Sequence, residues 1–162
     1  TKGSWAKVKL IKDALEKGYE KVIWLDADTI IKELQEDLRN GCPDTGIGAC
    51  WHRIPQLKHW NVGALYLNNT PAVKEFIDAW LAAYPGLPQW LEQGVFNMFA
   101  MQSKIVTTIS DRWNSTLFYS EVPDAVVLGY HGVGDTPQRL EVMKQALQEL
   151  ENPKESILTH GV

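Results

Sequence analysis

Residues 21–31, with the sequence KVIWLDADTII, decide the fold, because an apolar run is followed at once by two aspartates. Residues 22–25 predict a buried strand, and Asp26 and Asp28 stand at its end. Side chains two apart on a strand point the same way, so both carboxylates are expected to converge at the carboxyl edge of a sheet. Open α/β sheets bind ligands at that edge. The segment therefore predicts an α/β protein with a site at the two aspartates.

The aspartate pair has a metal interpretation and an ordinary one. Two carboxylates held close together repel each other and lose hydration, unless a cation or a shared proton relieves them. Mg²⁺ and Mn²⁺ prefer oxygen ligands and also grip phosphate oxygens, which would suit a phosphorylated substrate. The ordinary interpretation is a solvated turn, a helix cap or a fragment of a calcium loop. The flanking apolar residues, through Ile30 and Ile31, make a surface turn awkward, so the motif alone leaves the two interpretations balanced.

The composition of the chain further limits which classes of protein it can belong to. The 162 residues, of which 44% are hydrophobic, fit one α/β domain, expected over residues 1–151 with a loosely ordered tail at 152–162. The net charge of -4 offers no basic surface for nucleic acid. Cys42 and Cys50 form no CxxC pattern, so a reducing cytoplasm is the default location. No apolar run is long enough to span a bilayer.

Helical and extended signals alternate along the chain. Ser4 is expected to cap a helix that Gly18 ends, just before the aspartate strand. Further helices are predicted from Thr70, over 89–101 and from Thr136. Short strands are predicted at 46–51, 64–67, 105–109 and 125–130.

Four further motifs carry polar residues that could join the aspartates. His131 lies in GYHGVGD after an apolar run, among glycines that let a backbone approach a ligand closely. Asn61 and Gly63 precede a predicted strand, and an amide can both donate to and accept from sugar hydroxyls. The other two motifs are the pairs Glu92–Gln93 and Trp113–Asn114. Each also has an ordinary explanation as a packed histidine, a turn, a helix N-terminus or a core residue.

In this order the motifs resemble a metal-dependent glycosyltransferase of the GT-A fold, nearest to the glycogenin and lipopolysaccharide galactosyltransferase group. The resemblance runs from Trp5 to about Gly134 and covers most of the chain. The residues that carry it are Trp5-Ala6-Lys7 for the family's aromatic-Ala-basic helix start, Leu25 to Asp28 for its Leu-Asp-x-Asp motif, Asn61 to Gly63 for its Asn-x-Gly segment, Glu92-Gln93 for its Asp-Gln pair, Trp113-Asn114 for its Trp-Asn pair, and His131 with Gly134 for its His-x-x-Gly motif.

The resemblance implies a fold, a reaction and a set of roles. The fold would be a partial or minimal GT-A (Rossmann-like) mixed sheet flanked by helices. The reaction would move a sugar from a nucleotide diphosphate sugar, a UDP-sugar, to a glycan or other hydroxyl acceptor with retention of configuration. The implied roles are a Mn²⁺ or Mg²⁺ ion on Asp26, Asp28 and His131, catalysis by Glu92 and Gln93, and donor binding by Lys7, Asp26, Asn61, Gly63, Trp113, Asn114, Gly132 and Gly134.

Two departures from the family pattern carry their own expectations. Residues 135–139 replace a Lys-Pro-Trp signature, so Arg139 is the only candidate there for a phosphate contact. The Asp motif also comes far earlier than is usual in the family, so the chain is expected to be either a fragment that lacks the N-terminal, base-binding part or a minimal form with a weak or absent base pocket. The sheet edge left by that gap would be exposed, and a homo-oligomer is one way to cover it.

Two alternatives from other classes remain at this point. Asp26-x-Asp28-Thr29 after a strand also opens haloacid-dehalogenase-like phosphatases, with Asp26 as nucleophile and Asp28 as acid. The predicted helix before the strand disfavours that alternative. The other alternative is a truncated, non-catalytic module that binds a sugar or a protein partner.

Overall fold

In a computed structural model of the chain, residues 3–54, 57–85 and 91–152 are described. The tail predicted at 152–162 therefore lies, from residue 153 onward, outside the described residues. The elements are α1 (Gly3–Glu16), β1 (Lys21–Leu25), β2 (Thr29–Ile31), β3 (Ile47–Ile54), β4 (Leu57–Asn68), α2 (Pro71–Ala82), α3 (Glu92–Ala100), β5 (Val106–Ile109), β6 (Ser115–Thr116), β7 (Val127–Gly129) and α4 (Thr136–Glu151), with 3-10 turns at Leu38–Gly41 and Asp111–Trp113. Among the described residues no helix has the length and apolarity needed to cross a membrane.

The helices form where their caps and apolar faces indicate. Trp5, Val8, Ile11 and Leu15 make the buried face of α1, which already begins at Gly3, so Ser4 lies inside the helix rather than at its cap. The Thr70 hydroxyl accepts from the Val73 amide at the start of α2. Helix α4 has a capping box, because the side chains of Asp135 and Gln138 each accept from the other residue's amide.

Two mixed sheets meet beside the aspartates. The larger sheet has the strand order β1-β4-β3-β5, with β3 and β5 parallel and the other pairs antiparallel. The smaller sheet has the order β2-β7-β6. Helices packed beside mixed sheets confirm the predicted α/β class. Strand β1 lies at the edge of its sheet, and no other strand of the described ranges pairs with its second side.

The main core lies between the larger sheet and helices α1, α2 and α3. Strand β4 shows the alternation that builds it, because Leu65 and Leu67 face the helices whereas Ala64 and Tyr66 belong to the cluster on the other face. Trp5 and Trp80 are fully buried in the main core. This packing fixes α1 against β1 and α3 against β4.

The structure confirms the strand predicted over residues 22–25 as part of β1, but the two aspartates lie in a turn after it. Strand β1 ends at Leu25, and β2 begins at Thr29 in the other sheet. The turn between them is closed by Thr29, whose amide and hydroxyl both donate to the Asp26 carbonyl, at 3.1 and 2.8 Å. Asp26 and Asp28 are thus brought together by a turn between two sheets, and strand alternation is the wrong reason for their proximity.

An irregularity in β4 shapes the neighbouring backbone. Ala49 of β3 pairs with Leu65, whereas the next residue, Cys50, pairs with Asn61. The three residues between, 62–64, lie opposite no residue of β3 and instead meet the end of β1, where the Asp26 amide donates to the Gly63 carbonyl at 2.7 Å. Asn61 and Gly63 are therefore inside a long strand rather than before a short one. Such bulges often re-aim side chains toward a site.

Candidate functional site

Lys7 joins two acidic residues at the end of β1. Lys7 lies on the buried face of α1, and the side chain of Lys7 is only 6% exposed. Its Nζ atom lies 2.8 Å from Asp26 Oδ1 and 3.3 Å from Glu92 Oε1, and it donates to the Val62 carbonyl at 3.3 Å. The Trp24 indole also donates to Asp26 Oδ1 at 2.6 Å. This ion triad holds α1, β1 and α3 together at the candidate site.

Asp28 has a different cationic partner. Arg139 of α4 donates from Nη1 to Asp28 Oδ2 at 2.7 Å, and both side chains are partly exposed. Because Asp28 lies in the turn and Arg139 in the first part of α4, this ion pair ties the last helix to the aspartate turn. Each aspartate of the motif is thus neutralised by its own side-chain cation.

Two amides orient the side of the site formed by β4 and α3. Asn61 Oδ1 accepts from the Gly63 amide at 2.7 Å, and Asn61 Nδ2 donates to His131 Nε2 at 3.1 Å. Gln93 Oε1 accepts from the Val62 amide at 3.1 Å, which leaves its Nε2 to donate to His59 Nε2 at 3.2 Å. The backbone donors therefore fix which end of each amide faces the histidines.

Two cavities meet at the Lys7–Asp26–Glu92 triad. One, of about 470 Å³, also reaches Asp28 and Arg139. The other, of about 570 Å³, extends past the two oriented amides to a wall of three histidines, His52, His59 and His131. Both volumes fall in the range of about 300–1,000 Å³ that is usual for small-molecule sites. Charged side chains line the first cavity, whereas the three histidines on the outer wall of the second cavity are uncharged.

Polar atoms without partners point to a ligand at this place. Asn114 is 1% exposed, yet neither atom of its side-chain amide has a hydrogen-bond partner among the described residues. Glu92 Oε2 is likewise buried and unpartnered within the described part of the chain. A Cβ added to Gly63 would lie 3.0 Å from Asn61 Oδ1, 3.6 Å from Asp26 Oδ2 and 3.8 Å from Asn114 Nδ2. The space at Gly63 is thus lined by polar atoms, and buried polar groups normally require a partner.

The structure gives three of the named residues a packing environment. The ring of Trp113 belongs to the core, edge-on to Tyr66, whose hydroxyl donates to the Trp113 carbonyl. Gly132 has a φ of +88°, and a Cβ there would lie 2.7 Å from the Tyr119 ring. Gly134 leaves room for the capping side chain of Gln138. These contacts alone explain the residue types, so donor binding by the three residues stays a prediction.

The three predicted metal ligands are not grouped around one point. Asp26 pairs with Lys7, Asp28 with Arg139, and His131 bonds Asn61. Across residues 3–54, 57–85 and 91–152, no three His, Cys, Asp or Glu side chains form a group ready to hold a metal ion. Carboxylates that lack a shared cation repel each other, so each takes the nearest basic side chain.

The residues nevertheless fit a divalent cation in their chemistry. Asp26 and Asp28 border the same cavity, and both present oxygens of the kind that Mg²⁺ and Mn²⁺ prefer. Burial lowers the pKa of His131, and an unprotonated imidazole can donate a lone pair to a metal. The unpartnered amide of Asn114 is a further oxygen donor in the same region. These oxygen and nitrogen ligands therefore suit a hard cation that also binds a phosphorylated ligand.

Sequence reasoning missed His52 and His59, which face each other across the β3–β4 pair. Burial lowers the pKa of His52 to about 4 and also lowers that of His59, so both imidazoles are neutral at pH 7. One signal could have revealed them. The stretch HRIPQLKH, residues 52–59, has a histidine at each end and a proline between them, and proline is a residue that favours turns, so the sequence is compatible with a cross-strand pair of histidines.

The comparisons with known proteins bear on the fold. No family model matches the chain, and no curated protein matches it. Among solved structures, a glycosyltransferase involved in the glycosylation of the major capsid of PBCV-1 is similar, with a TM-score of 0.66 at 18% identity over 88% of this chain and 75% of that one. The galactosyltransferase LgtC gives a TM-score of 0.56 at 16% identity over 91% of this chain and 66% of that one. The glycosyltransferase GlyE of Streptococcus pneumoniae gives 0.54 at 15% identity, over 93% of this chain and 44% of that one.

These similarities confirm the resemblance at the level of the fold. The chain has the fold of GT-A glycosyltransferases, and the structural relatives are enzymes of that class. The identities are too low to transfer a donor, an acceptor or a mechanism. The chain spans less than two thirds of the length of LgtC and less than half of that of GlyE.

Proposed function

We propose that the chain is a glycosyltransferase that moves a sugar from a nucleotide diphosphate donor, a UDP-sugar, to a hydroxyl acceptor with the help of Mn²⁺ or Mg²⁺. One observation carries the proposal: the buried, unpartnered amide of Asn114 borders the same Gly63 space as Asp26 and Asn61. These residues come from three separate motifs of the family pattern. The fold of the structural relatives supports the same proposal.

The cation would be held by Asp26, Asp28 and His131. When bound, it would supply positive charge that offsets the negative charge of the leaving diphosphate. Arg139 would then exchange its contact with Asp28 for one with a phosphate oxygen, because a guanidinium suits either anion. Lys7 stays between Asp26 and Glu92, where it keeps both carboxylates in position.

The sugar of the donor would lie along the bulge of β4. Asn61 and Asn114 supply amide groups that donate to and accept from hydroxyls, and Gly63 leaves room for a ring. Glu92 Oε2 is buried, ionisable and without a described partner, so it is the group best placed to accept a hydrogen bond from a substrate hydroxyl. The side chain of Gln93, held in place by the Val62 amide, lies beside Glu92 on the same wall of the cavity. Retention of configuration is part of the proposal and follows from the family resemblance alone.

The phosphatase alternative loses its structural support. That alternative gives no role to Asn61 and His131, which contact each other and line the cavity beside Asp26. Strand β1 is also an edge strand paired only with an antiparallel neighbour in the described sheet, and the similar solved structures are glycosyltransferases.

Isothermal titration calorimetry tests the proposed function. UDP and UDP-sugars are titrated into the protein with and without Mn²⁺. We expect binding that requires Mn²⁺ and that Asp28→Asn weakens by about 10- to 100-fold. Asp78→Asn, which changes an exposed aspartate of α2, is the matched control and should bind like the wild type. Failure of every nucleotide to bind in the presence of Mn²⁺ would contradict the proposal and favour the non-catalytic module.

A further inference from the structure

A third cavity, the α4 cavity, lies between helix α4 and the smaller sheet, away from the Lys7–Asp26–Glu92 triad. Its volume is about 440 Å³, within the range of about 300–1,000 Å³ that is usual for small-molecule sites. The α4 cavity shares no lining residue with the two cavities at the triad. It is therefore a separate space, and the proposed function makes no use of it.

The walls of the α4 cavity are mostly apolar. Ile30 and Leu128 line it from the sheet, and Val142 and Ala146 line it from the helix. All four belong to one apolar cluster, yet no residue of α4 is fully buried. The helix thus covers the sheet without closing the space beneath it. An apolar ligand placed there would take this surface out of water, which is the main source of affinity for such a site.

A tyrosine hydroxyl is left without a partner at this cavity. Tyr130 is only 2% exposed, and its ring packs in the same apolar cluster. Its amide donates to the Asp28 carbonyl at 2.8 Å, and its carbonyl accepts from the Val133 amide at 3.2 Å, so the backbone is held in place. Within the described ranges no group hydrogen-bonds the hydroxyl, and Tyr130 lines the cavity. Because buried tyrosine hydroxyls usually find a partner, this one is available to a ligand.

Three ionisable side chains also line the α4 cavity. Glu121, from the loop after β6, and Glu149 of α4 supply two carboxylates, and Lys32 supplies one ammonium group. All three side chains are exposed, and two negative charges against one positive charge leave one net negative charge. The Tyr130 hydroxyl and the two carboxylates together offer three acceptor groups. A ligand ammonium, which has three N–H donors and no acceptor, matches them.

We propose that the α4 cavity is a second ligand site of this protein, which takes a primary amine with an apolar body. The apolar body fills the space between α4 and the smaller sheet. The ammonium group donates to the Tyr130 hydroxyl oxygen and to the carboxylates of Glu121 and Glu149. A ligand carboxylate would meet two like charges there, and a neutral alcohol would satisfy fewer of the acceptors. The site stands apart from the proposed function, because none of its residues is assigned to the donor or the cation.

Isothermal titration calorimetry at pH 7 with n-octylamine, n-octanol and octanoate tests the α4 cavity. These probes share an apolar chain and differ in the charge of the head group. We expect one octylamine to bind per chain, about five-fold more tightly than octanol, because its ammonium gains charge-assisted hydrogen bonds that are partly solvated. Octanoate should bind more weakly than octanol. n-Hexylamine, which is two CH₂ groups shorter, should bind about ten-fold more weakly than octylamine.

Substitutions in the full chain locate the binding. Glu149→Gln should weaken octylamine binding by about three-fold and leave octanol binding unchanged. Glu141→Gln is the matched control, because it changes an exposed glutamate of the same helix that does not line the cavity. Tyr130→Phe removes the hydroxyl but keeps the ring, and it should weaken octylamine binding by about five-fold. Ala146→Phe fills the cavity and should abolish the binding of both octylamine and octanol, and its urea midpoint shows whether it is folded.

The proposal is wrong if octylamine fails to bind, if octanol or octanoate binds as tightly, or if Glu149→Gln and Glu141→Gln bind octylamine equally well. Octylamine binding that persists in a folded Ala146→Phe variant would place the amine elsewhere and would also contradict the proposal. If Ala146→Phe does not fold, the two glutamine variants decide the question, because both changes are at exposed positions. None of these outcomes depends on whether the protein binds UDP.

Discussion

Replacement of Lys7 by methionine tests the charge arrangement at the centre of the site. Methionine keeps the length of the side chain but removes the cation between Asp26 and Glu92. The Glu92 side chain is 7% exposed and would become a buried, unpaired charge, whereas Asp26 is 30% exposed and is partly solvated. Breaking a buried ion pair from one side costs about 3–5 kcal/mol, and the exposure of Asp26 puts the expected loss at about 3 kcal/mol.

Urea unfolding measures this loss. With a slope of about 2 kcal/mol per molar, the midpoint should fall by about 1.5 M. Lys9→Met is the matched control on the same helix, since Lys9 is exposed and its pair with Asp13 is worth less than about 1 kcal/mol. Adding Glu92→Gln to Lys7→Met should recover at least about 1 kcal/mol, because it removes the unpaired charge. Equal midpoints for the two lysine variants would refute the role given to Lys7.

Three further perturbations address the metal, the donor and the histidines. Arg139→Gln removes the competitor for Asp28 and should tighten Mn²⁺ binding by about 2- to 5-fold in electron paramagnetic resonance titrations; weaker binding would contradict the competition. Gly63→Ala places a Cβ 3.0 Å from Asn61 Oδ1, so it should cost about 1–3 kcal/mol in urea unfolding. In calorimetry it should weaken the binding of a UDP-sugar, whose ring would meet that Cβ, more than the binding of UDP. Burial lowers the pKa of His52 to about 4 in the folded chain, whereas an imidazole in the unfolded chain has a pKa of 6.5. The unfolded chain therefore binds this proton first as the pH falls. The free energy of unfolding should decrease between pH 6.5 and pH 4, by up to about 3 kcal/mol. Urea midpoints of the wild type and His52→Gln across that range should diverge, and parallel curves would contradict the burial effect.

The helices were predictable because their signals are local. The apolar spacing from Trp5 to Leu15 fixes the buried face of α1, and Thr70 with Pro71 fixes the start of α2. Strand β4 was predicted too short because Asn61 and Gly63 interrupt its apolar pattern. In the structure Gly63 belongs to the bulge, whose extra residues meet β1 instead of β3, and Asn61 stands just before it, paired with Cys50. The sequence of β4 does not show at which residues β1 pairs with it.

The sequence indicated which residues belong to the candidate site better than it indicated which residues those side chains contact. Asp26, Asn61 and His131 do line one cavity, as their order in the family pattern implied. Their partners depend on long-range packing. Neither the ion pair of Asp28 with Arg139, 111 residues apart, nor the contact between His131 and His52 leaves a local signal.

A crystal structure of the chain grown with Mn²⁺ and UDP tests the central claim most directly, with the anomalous signal of manganese locating the ion. The account predicts one peak contacted by the carboxylates of Asp26 and Asp28 and by the His131 imidazole, with Arg139 moved from Asp28 to a phosphate oxygen. A structure in which UDP is bound while His131 still contacts His52 and no manganese lies at the aspartates would contradict it.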